Sequence, residues 1–222
     1  MKNLYLRLKI LILNKDKTMK RKDFLKNFSL GILTVPTVLT SCGAPKFMTN
    51  IEDCKLTDED DLGPFFVKNT PQIVNLNTKN ENGVKMRVIG KVFRGEFEDK
   101  PLADTKIEIW HCDDQGKYHP SGNGDVSNYE ISEIGLRGHV ITQADGSYIF
   151  DSILPGLYGS RARHIHFKLT SKKHSTLVTQ SYFKGDKRIP HDSLAQNSGD
   201  CRIIEFKTNS QNILQGEMNF HL

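Results

Sequence analysis

The sequence predicts an all-β fold, a β-sandwich of two mixed or antiparallel sheets with long loops, preceded by a signal peptide. From about residue 70 onwards, short segments alternate apolar and polar residues and end at Gly, Pro, Asn or Asp, which is typical of strands and turns. The same stretch contains no long amphipathic helix, and short strands at this spacing indicate a sandwich or a barrel. An apolar run near the N-terminus predicts the signal peptide.

The leader is expected to comprise residues 1–41. Residues 19–42 read MKRKDFLKNFSLGILTVPTVLTSC, with a basic start, an apolar run too short to span a membrane, and small residues before Cys42. This end resembles the lipobox of bacterial lipoproteins, whose cysteine is acylated; the alternative is a signal peptide with an incidental cysteine. The RKDFLK stretch also resembles a twin-arginine export signal, with Lys22 in place of the second arginine, so the export route stays open. Met19 is an alternative translation start.

Charged residues are distributed unevenly between the predicted leader and the rest of the chain. Residues 1–41 hold nine of the 31 Lys and Arg but two of the 26 Asp and Glu, so residues 42–222 hold 22 basic and 24 acidic residues, a net charge of −2. The apparent basicity therefore belongs to the leader, and nothing indicates a nucleic acid partner. Residues 42–53 are polar and are expected to tether one domain, residues 54–222, to the membrane outside the cytoplasm, in the periplasm or at the outer membrane of a bacterium.

Three cysteines follow Cys42, namely Cys54, Cys112 and Cys201. In an oxidising compartment two of them could form a disulfide and leave one thiol, and the sequence does not determine the pair. The chain has no C-x-x-C motif, so neither a zinc site nor a redox motif is indicated.

The strands are predicted from alternation and from the turns between them. The turn Ala144-Asp145-Gly146 separates two of them and predicts a hairpin. Residues 120–134 are polar and are predicted to form a loop over one end of the fold. The predicted strands cover residues 84–93, 107–110, 140–142, 147–150, 164–169, 177–183 and 203–206.

The segment HIHFKL, residues 164–169, places two histidines at metal-ligand spacing. Side chains alternate along a strand, so His164 and His166 share one face while the apolar residues between and after them share the other. The apolar face can pack in the core and leave the two imidazoles side by side. An H-x-H pair alone is a weak signal, because an ordinary hydrogen-bonded strand pair has the same pattern. Five other histidines lack such spacing and are predicted to be surface or loop residues: His111, His119, His139, His174 and His191.

The longer sequence around this strand resembles a known protein family. The segments PLADTKIEIWHCDDQGKY (101–118), GLRGHVITQADGSYIFDSILPGLYGSRARHIHFKL (135–169) and TQSYFKGD (179–186) closely resemble the intradiol ring-cleavage dioxygenases, above all their shorter single-domain members. This family includes the protocatechuate and catechol dioxygenases. The resemblance runs from about residue 54 to 186, and the motifs W-H-C-D-x-x-G-x-Y, P-G-x-Y-x-x-R and H-I-H follow one another in the family's order.

The resemblance implies a ferric, non-haem iron site. Arg161 would stabilise charge developing on the substrate, and Gln180 would hold that guanidinium in place. Tyr158 would also be catalytic, because in the family the substrate displaces the matching tyrosine, which then takes up a substrate proton. Arg163 has no role in the motif and is expected to face solvent from its strand. The implied iron ligands are Tyr118, Tyr158, His164 and His166.

The implied reaction is cleavage of a catechol-type ring between its two hydroxylated carbons with O2, which yields a cis,cis-muconate-type dicarboxylate. Phenolate ligands favour ferric iron and disfavour its reduction. One departure bears on the substrate: Gly63-Pro64-Phe65-Phe66 lacks a tyrosine that the family often has beside the pocket, so the ring substituents stay open. The oligomeric state also stays open, and a homo-oligomer is one of the alternatives.

The sequence leaves two alternative functions open. One is a non-catalytic β-sandwich lipoprotein that serves as a binding module. The other is a Cu,Zn superoxide dismutase-like enzyme, which also carries H-x-H on a strand but requires further histidines and a bridging aspartate at set spacings that this sequence does not show.

Overall fold

The computed structural model describes residues 56–96, 100–172, 174 and 176–222. The predicted leader, the tether, Cys42 and Cys54 lie outside these residues. The described part is almost entirely β and contains four short 3-10 helices, Val126–Asn128, Ile131–Glu133, Ile189–His191 and Asp200–Arg202, and no α-helix. Within it, no helix is long and apolar enough to cross a membrane. The strands are β1 (Val67–Lys68), β2 (Lys85–Phe93), β3 (Lys106–Trp110), β4 (Gly124–Asp125), β5 (Arg137–Ile141), β6 (Ser147–Ile153), β7 (His164–Thr170), β8 (Leu177–Phe183), β9 (Ile203–Ile204), β10 (Lys207–Thr208), β11 (Leu214–Glu217) and β12 (Phe220–His221).

Two five-stranded sheets form the body of the fold. In the first sheet, β2 pairs antiparallel with β6 along one edge. Along its other edge β2 pairs parallel with β11 and then with β12. Strand β10 pairs antiparallel with β11. The second sheet has the order β5-β3-β7-β8-β9 and is antiparallel except for the last pair. Both sheets are therefore mixed. A separate two-stranded pair joins β1 to β4.

One apolar core lies between the sheets. Met86, Val88 and Phe150 enter it from the first sheet, and Ile107 and Phe167 enter it from the second, all of them at most 1% exposed. Core members recur at every second residue because successive strand side chains point to opposite faces. The predicted all-β, sandwich-like architecture is thus present in the described residues.

Strand β7 has the two faces that its sequence predicts. Ile165, Phe167 and Leu169 are fully buried in the core, and His164 and His166 lie on the opposite, outer face of the second sheet. Neighbouring strands extend this outer face, because His166 is the register partner of Trp110 on β3 and of Gln180 on β8, and His164 is the partner of Tyr182.

A chain segment covers the outer face of the second sheet. Residues 57–60 line the edge of β8, where the Asp60 amide donates to the Val178 carbonyl (2.9 Å) and the Thr179 hydroxyl donates to the Asp58 carbonyl (2.8 Å). Residues 61–66 continue over the outer face, where Gly63 lies against His166 and Phe66 packs on Trp110 with 5.0 Å between ring centroids. The outer face is therefore not solvent surface at this point, and its polar side chains are enclosed.

The predicted hairpin around Ala144-Asp145-Gly146 is wrong. The turn itself forms, since the Gln143 amide donates to the Ser147 carbonyl (2.9 Å). Beyond it, β5 pairs with β3 in the second sheet and β6 pairs with β2 in the first. Both strands are half-apolar and face the one core from opposite sides, so the turn connects the two sheets instead of pairing its own strands.

The C-terminal strands β10, β11 and β12 do not stand out in the sequence. The β11 segment, LQGE, has little apolar alternation, and it forms a strand because β2 offers it a free edge. Gly90 on β2 allows this packing, since a Cβ there would lie 1.8 Å from the Met218 carbonyl oxygen. A close backbone approach of this kind requires glycine.

The cysteines divide into two kinds. Cys201 is disulfide-bonded, whereas Cys112 is a free, buried thiol whose pKa burial raises to about 12. Cys112 is therefore the unpaired member of the predicted set.

Candidate metal centre

Three donor atoms converge on the outer face of the second sheet. The Tyr118 hydroxyl lies 3.1 Å from Nε2 of His164 and 3.2 Å from Nε2 of His166. Tyr118 follows the turn after β3, and the two histidines come from β7, so the cluster joins residues 46 and 48 positions apart. All three side chains are buried, with 3–4% of their surface exposed.

The orientation of each imidazole is fixed by its neighbours. Nδ1 of His164 lies 2.7 Å from the Ala162 carbonyl oxygen, which can only accept, so Nδ1 carries the proton and Nε2 presents its lone pair. The ring of His166 stacks on the Trp110 indole at 4.9 Å between centroids and 5° between planes. Gly63, at φ +70°, lies against the other side of the cluster, where a Cβ would come within 3.1 Å of Cε1 of His166.

Burial sets the protonation of these groups in the absence of a cation. It lowers the pKa of His164 to about 4 and that of His166 well below its ordinary value, so both imidazoles are neutral at neutral pH. It raises the pKa of Tyr118 above that of a free phenol. Neutral imidazole is the form that binds metals, and a buried phenolate requires a nearby positive charge.

These donors fit a transition-metal cation. Ligand atoms bound to one metal at about 2.1 Å lie roughly 3 Å from one another, which is the spacing seen here. One phenolic proton also cannot satisfy both imidazole nitrogens when each presents a lone pair. Among the described residues, no three His, Cys, Asp or Glu side chains form a metal-binding group, so a metal centre here depends on tyrosine.

Tyr158 is the second tyrosine at the cluster. Its ring packs edge-on against Tyr118, with 5.5 Å between centroids and 84° between planes. Phe65 completes the aromatic group, because it stacks on Tyr118 at 4.3 Å and meets Tyr158 edge-on at 5.5 Å. The hydroxyl of Tyr158 makes no hydrogen bond to any described residue, and its side chain is only half-buried, in contrast to Tyr118.

Arg161 lies beside the cluster and is held on two of its nitrogens. Nε donates to the Asp192 carboxylate (2.8 Å), and Nη2 donates to the side-chain oxygen of Gln180 (2.9 Å) and more weakly to the Tyr182 hydroxyl (3.4 Å). Desolvation is the largest single influence and opposes the charge of Arg161, but the hydrogen bond to Asp192 and the nearby negative charge of Asp192 and Asp60 together outweigh it and raise the pKa of the guanidinium. Arg161 is therefore a fixed cation at the edge of the donor cluster.

Asp60 supports these partners from the covering segment. Its carboxylate accepts hydrogen bonds from the Tyr182 hydroxyl (2.8 Å) and from Arg202, and it is 2% exposed at the side chain. Gln180 donates to the Asp61 carbonyl at 2.8 Å. The outer face thus carries an aromatic group on one side of the donor cluster and a connected charged network on the other.

Comparison with known proteins agrees with this site. The family model described as Dioxygenase matches residues 62–222. Hydroxyquinol 1,2-dioxygenase from Nocardioides simplex is 29% identical over 167 residues, which cover 66% of this chain and 54% of the relative. The chain belongs to the intradiol ring-cleavage dioxygenase family. This membership leaves no support for the superoxide dismutase-like alternative.

Solved structures show the same fold. The dioxygenase domain of a dioxygenase carbohydrate-binding protein fusion from Streptomyces sp. SirexAA-E matches with a TM-score of 0.63 and 30% identity, over 75% of this chain and 97% of that chain. An intradiol ring-cleavage dioxygenase from Tetranychus urticae matches with a TM-score of 0.64 and 21% identity, over 76% of this chain and 94% of that chain. The chain spans about half the length of the curated relatives it matches.

The structure brings all six residues named from the intradiol motifs together. Tyr118, His164 and His166 share direct contacts, Tyr158 packs on Tyr118, and the remaining two, Arg161 and Gln180, are hydrogen-bonded to each other.

The expectations for His111 and Arg163 are wrong. His111 is fully buried, with Nδ1 2.7 Å from the Cys112 carbonyl and Nε2 2.7 Å from the Ser152 hydroxyl, so it is a core residue that ties β3 to β6. His139 is a half-buried member of β5. Arg163 precedes β7, and its Nε donates to the Pro155 carbonyl (3.0 Å) instead of facing solvent.

Arg137 organises the site but was not singled out in the sequence. It is 2% exposed and donates three hydrogen bonds to backbone carbonyls: Phe65 (2.7 Å), His119 (2.6 Å) and Pro120 (3.0 Å). Burial lowers its pKa to about 10, so it is still charged at neutral pH. Arg137 thereby joins the segment that carries Phe65 to the loop that follows Tyr118. The GLRGH motif contains this arginine, but spacing alone does not show what it binds.

We predict that Arg137→Met lowers the free energy of unfolding by about 3 kcal/mol, because three buried carbonyls lose charged donors. Denaturant unfolding measures the loss. Arg87→Met is the matched control, since Arg87 pairs with Asp151 at a partly exposed site (2.6 Å) and its loss should cost less than about 1 kcal/mol. Equal losses in the two variants would contradict the assignment of Arg137 as an organising residue.

Proposed function

We propose that this chain is a non-haem Fe(III) dioxygenase that cleaves a catechol-type ring between its two hydroxylated carbons with O2 and forms a cis,cis-muconate-type dicarboxylate. The observation that carries the proposal is the convergence of the Tyr118 hydroxyl on Nε2 of His164 and of His166, with Tyr158 packed beside them. Family membership supplies the reaction class, and the relatives' names supply catechol-type substrates.

The proposed ligands are Tyr118, Tyr158, His164 and His166. When bound, ferric iron would withdraw electron density from a coordinated catechol and make the ring reactive toward O2. Anionic phenolates and neutral imidazoles suit the ferric state. The hydrogen bond from His164 to the Ala162 carbonyl and the stacking of His166 on Trp110 would hold both imidazoles in the required orientation.

The two tyrosines have different roles in this proposal. Tyr118 is buried and bonded to both histidines, so it would stay in place. Tyr158 is half-buried, and its hydroxyl is not bonded to any other described residue, so its oxygen is the base best able to accept a catechol proton. Phe65 packs on both tyrosine rings and would contribute an apolar surface for the substrate ring while excluding water.

Arg161 would stabilise negative charge that develops on the substrate. Its Nη1 makes no hydrogen bond within the described part of the chain, while Nε and Nη2 are committed to Asp192 and Gln180. The guanidinium therefore has a fixed orientation and a donor left for a ligand. A preorganised cation in a partly buried site stabilises developing charge without reorganisation.

We also propose that the enzyme works outside the cytoplasm as a lipoprotein anchored through Cys42. Support comes from residues 19–42 alone, with their basic start, apolar run and lipobox-like end. Labelling of the expressed chain with a radioactive fatty acid, with Cys42→Ser as the control, would test the anchor.

The purified protein should convert catechol or a hydroxylated or chlorinated catechol, with O2 uptake, into a muconate absorbing in the ultraviolet. Liquid chromatography with mass spectrometry identifies the product. A yellow semialdehyde would show extradiol cleavage and contradict the proposal. An iron-loaded protein that leaves the whole catechol panel unchanged would instead support the non-catalytic binding module.

The visible spectrum tests the ligand set. Iron-loaded protein should be red-brown, because phenolate-to-iron charge transfer absorbs visible light. Tyr158→Phe should shift and weaken this band, and Tyr118→Phe should do the same while also lowering iron content. Tyr129→Phe is the control, because the Tyr129 hydroxyl donates to the Asn123 carbonyl (2.6 Å) and does not contact the donor cluster, so the spectrum should be unchanged. A colourless iron-loaded wild type would rule out tyrosine ligands.

A further inference from the structure

The Asp192 carboxylate lies directly behind Arg161. It follows the 3-10 helix Ile189–His191, and only 1% of its side chain is exposed. One oxygen accepts from Nε of Arg161 (2.8 Å) and from the Ala162 amide (2.8 Å). The other accepts from the Leu194 and Ala195 amides at 3.0 and 3.3 Å. Four donors on one buried carboxylate leave it a single orientation.

The Asp192 carboxylate is also connected to β7 through hydrogen bonds to a single residue, Ala162. Asp192 binds the Ala162 amide, and the Ala162 carbonyl accepts the hydrogen bond from Nδ1 of His164 (2.7 Å). Ala162 is itself fully buried. Asp192 is thus connected to the arginine at the edge of the site and, through the backbone, to a proposed iron ligand.

We propose that Asp192 is a positioning residue for ring cleavage, which fixes Arg161 so that its unbonded Nη1 faces the substrate. The inference rests on the proposed function. It adds to the role of Gln180, because Gln180 binds Nη2 whereas Asp192 binds Nε and supplies the countercharge. Two partners on the Nε and Nη2 atoms define the plane of the guanidinium, which one partner could not do.

The Arg161 guanidinium requires a charged partner, which is why residue 192 has to be a carboxylate. Arg161 is only partly exposed, at 24% of its side chain, and a half-buried cation without a counterion carries a desolvation cost. Hydrogen bonds between charged partners are also stronger than neutral ones. Asparagine keeps an acceptor for the Ala162 amide, but its neutral amide cannot provide the countercharge for Arg161.

Kinetics should separate this role from a structural one. Asp192→Asn should lower kcat roughly 10- to 100-fold, as loss of supporting contacts does, with a much smaller change in KM for catechol. The iron content and the visible band should be those of the wild type, because the ligand set is intact. Asp192→Glu keeps the charge and should recover part of the loss.

A double-mutant cycle identifies the residue through which Asp192 acts. Arg161→Met should lower kcat by about 10²- to 10³-fold, by analogy with removal of a preorganised donor. Adding Asp192→Asn to that variant should then have little further effect, since the group it positions is gone. If Asp192→Asn lowers kcat by the same factor in both backgrounds, the positioning role is wrong.

Asp186 offers a matched control in the same loop. Its carboxylate accepts from the Arg163 amide (2.8 Å) and the Arg188 amide (2.9 Å) but does not touch the Arg161 guanidinium. Asp186→Asn should therefore affect stability more than kcat, and it should act equally with and without Arg161. A loss of kcat equal to that of Asp192→Asn would show a general loop effect and overturn the proposal.

Unfolding gives a second readout that does not depend on activity. The wild type, Asp192→Asn, Arg161→Met and the double variant should also be compared in denaturant unfolding. Asp192 and Arg161 should show a coupling of roughly 10- to 100-fold in the unfolding equilibrium constant, the range expected for a charged hydrogen bond. No coupling would overturn the contact on which the proposal rests. Failure of the proposed function and failure of the positioning role can be told apart. An inactive wild type refutes the proposed function, and the role of Asp192 in ring cleavage with it. An active wild type in which Asp192 and Arg161 show no coupling refutes the positioning role alone.

Discussion

The site depends on the period-two alternation of strand β7. Ile165, Phe167 and Leu169 are fully buried between the sheets and anchor the strand in the core. That anchoring fixes the direction of the intervening side chains, so His164 and His166 must point away from the core on one face. A slip of one residue in register would move the histidines into the core and the apolar residues out of it, so the same burial that stabilises the sandwich also specifies the proposed ligand pair.

An outer-face site requires a cover, and the chain provides one from distant segments. Arg137 holds the segment of Phe65 against the loop after Tyr118, and Asp60 accepts from Tyr182 on the other side. These contacts exclude water from a sheet face that would otherwise be exposed. Exclusion of water strengthens every charge interaction there, which is why a fixed Arg161 can matter to the chemistry.

The alternation of apolar and polar residues predicted those features of the fold that depend only on neighbouring residues. The strands containing His164 and Leu177 were predicted almost to their ends, and the H-x-H faces were predicted correctly, because alternation is a property of neighbouring residues. The assignment of β5 and β6 to different sheets could not be predicted, since their connecting turn has hairpin chemistry. Arg137 and Asp192 were also missed, because their roles come from partners 17 to 72 and 30 to 31 residues away, which no spacing rule shows. The motif order, not the histidines alone, led to the six site residues.

Anomalous diffraction at the iron absorption edge, from crystals of protein purified from iron-replete cells, tests the central claim most directly. The account predicts one strong iron peak bonded at about 2 Å to the Tyr118 oxygen and to Nε2 of His164 and His166, with Tyr158 as the fourth protein ligand. A peak at another site, or a metal other than iron between these side chains, would contradict it.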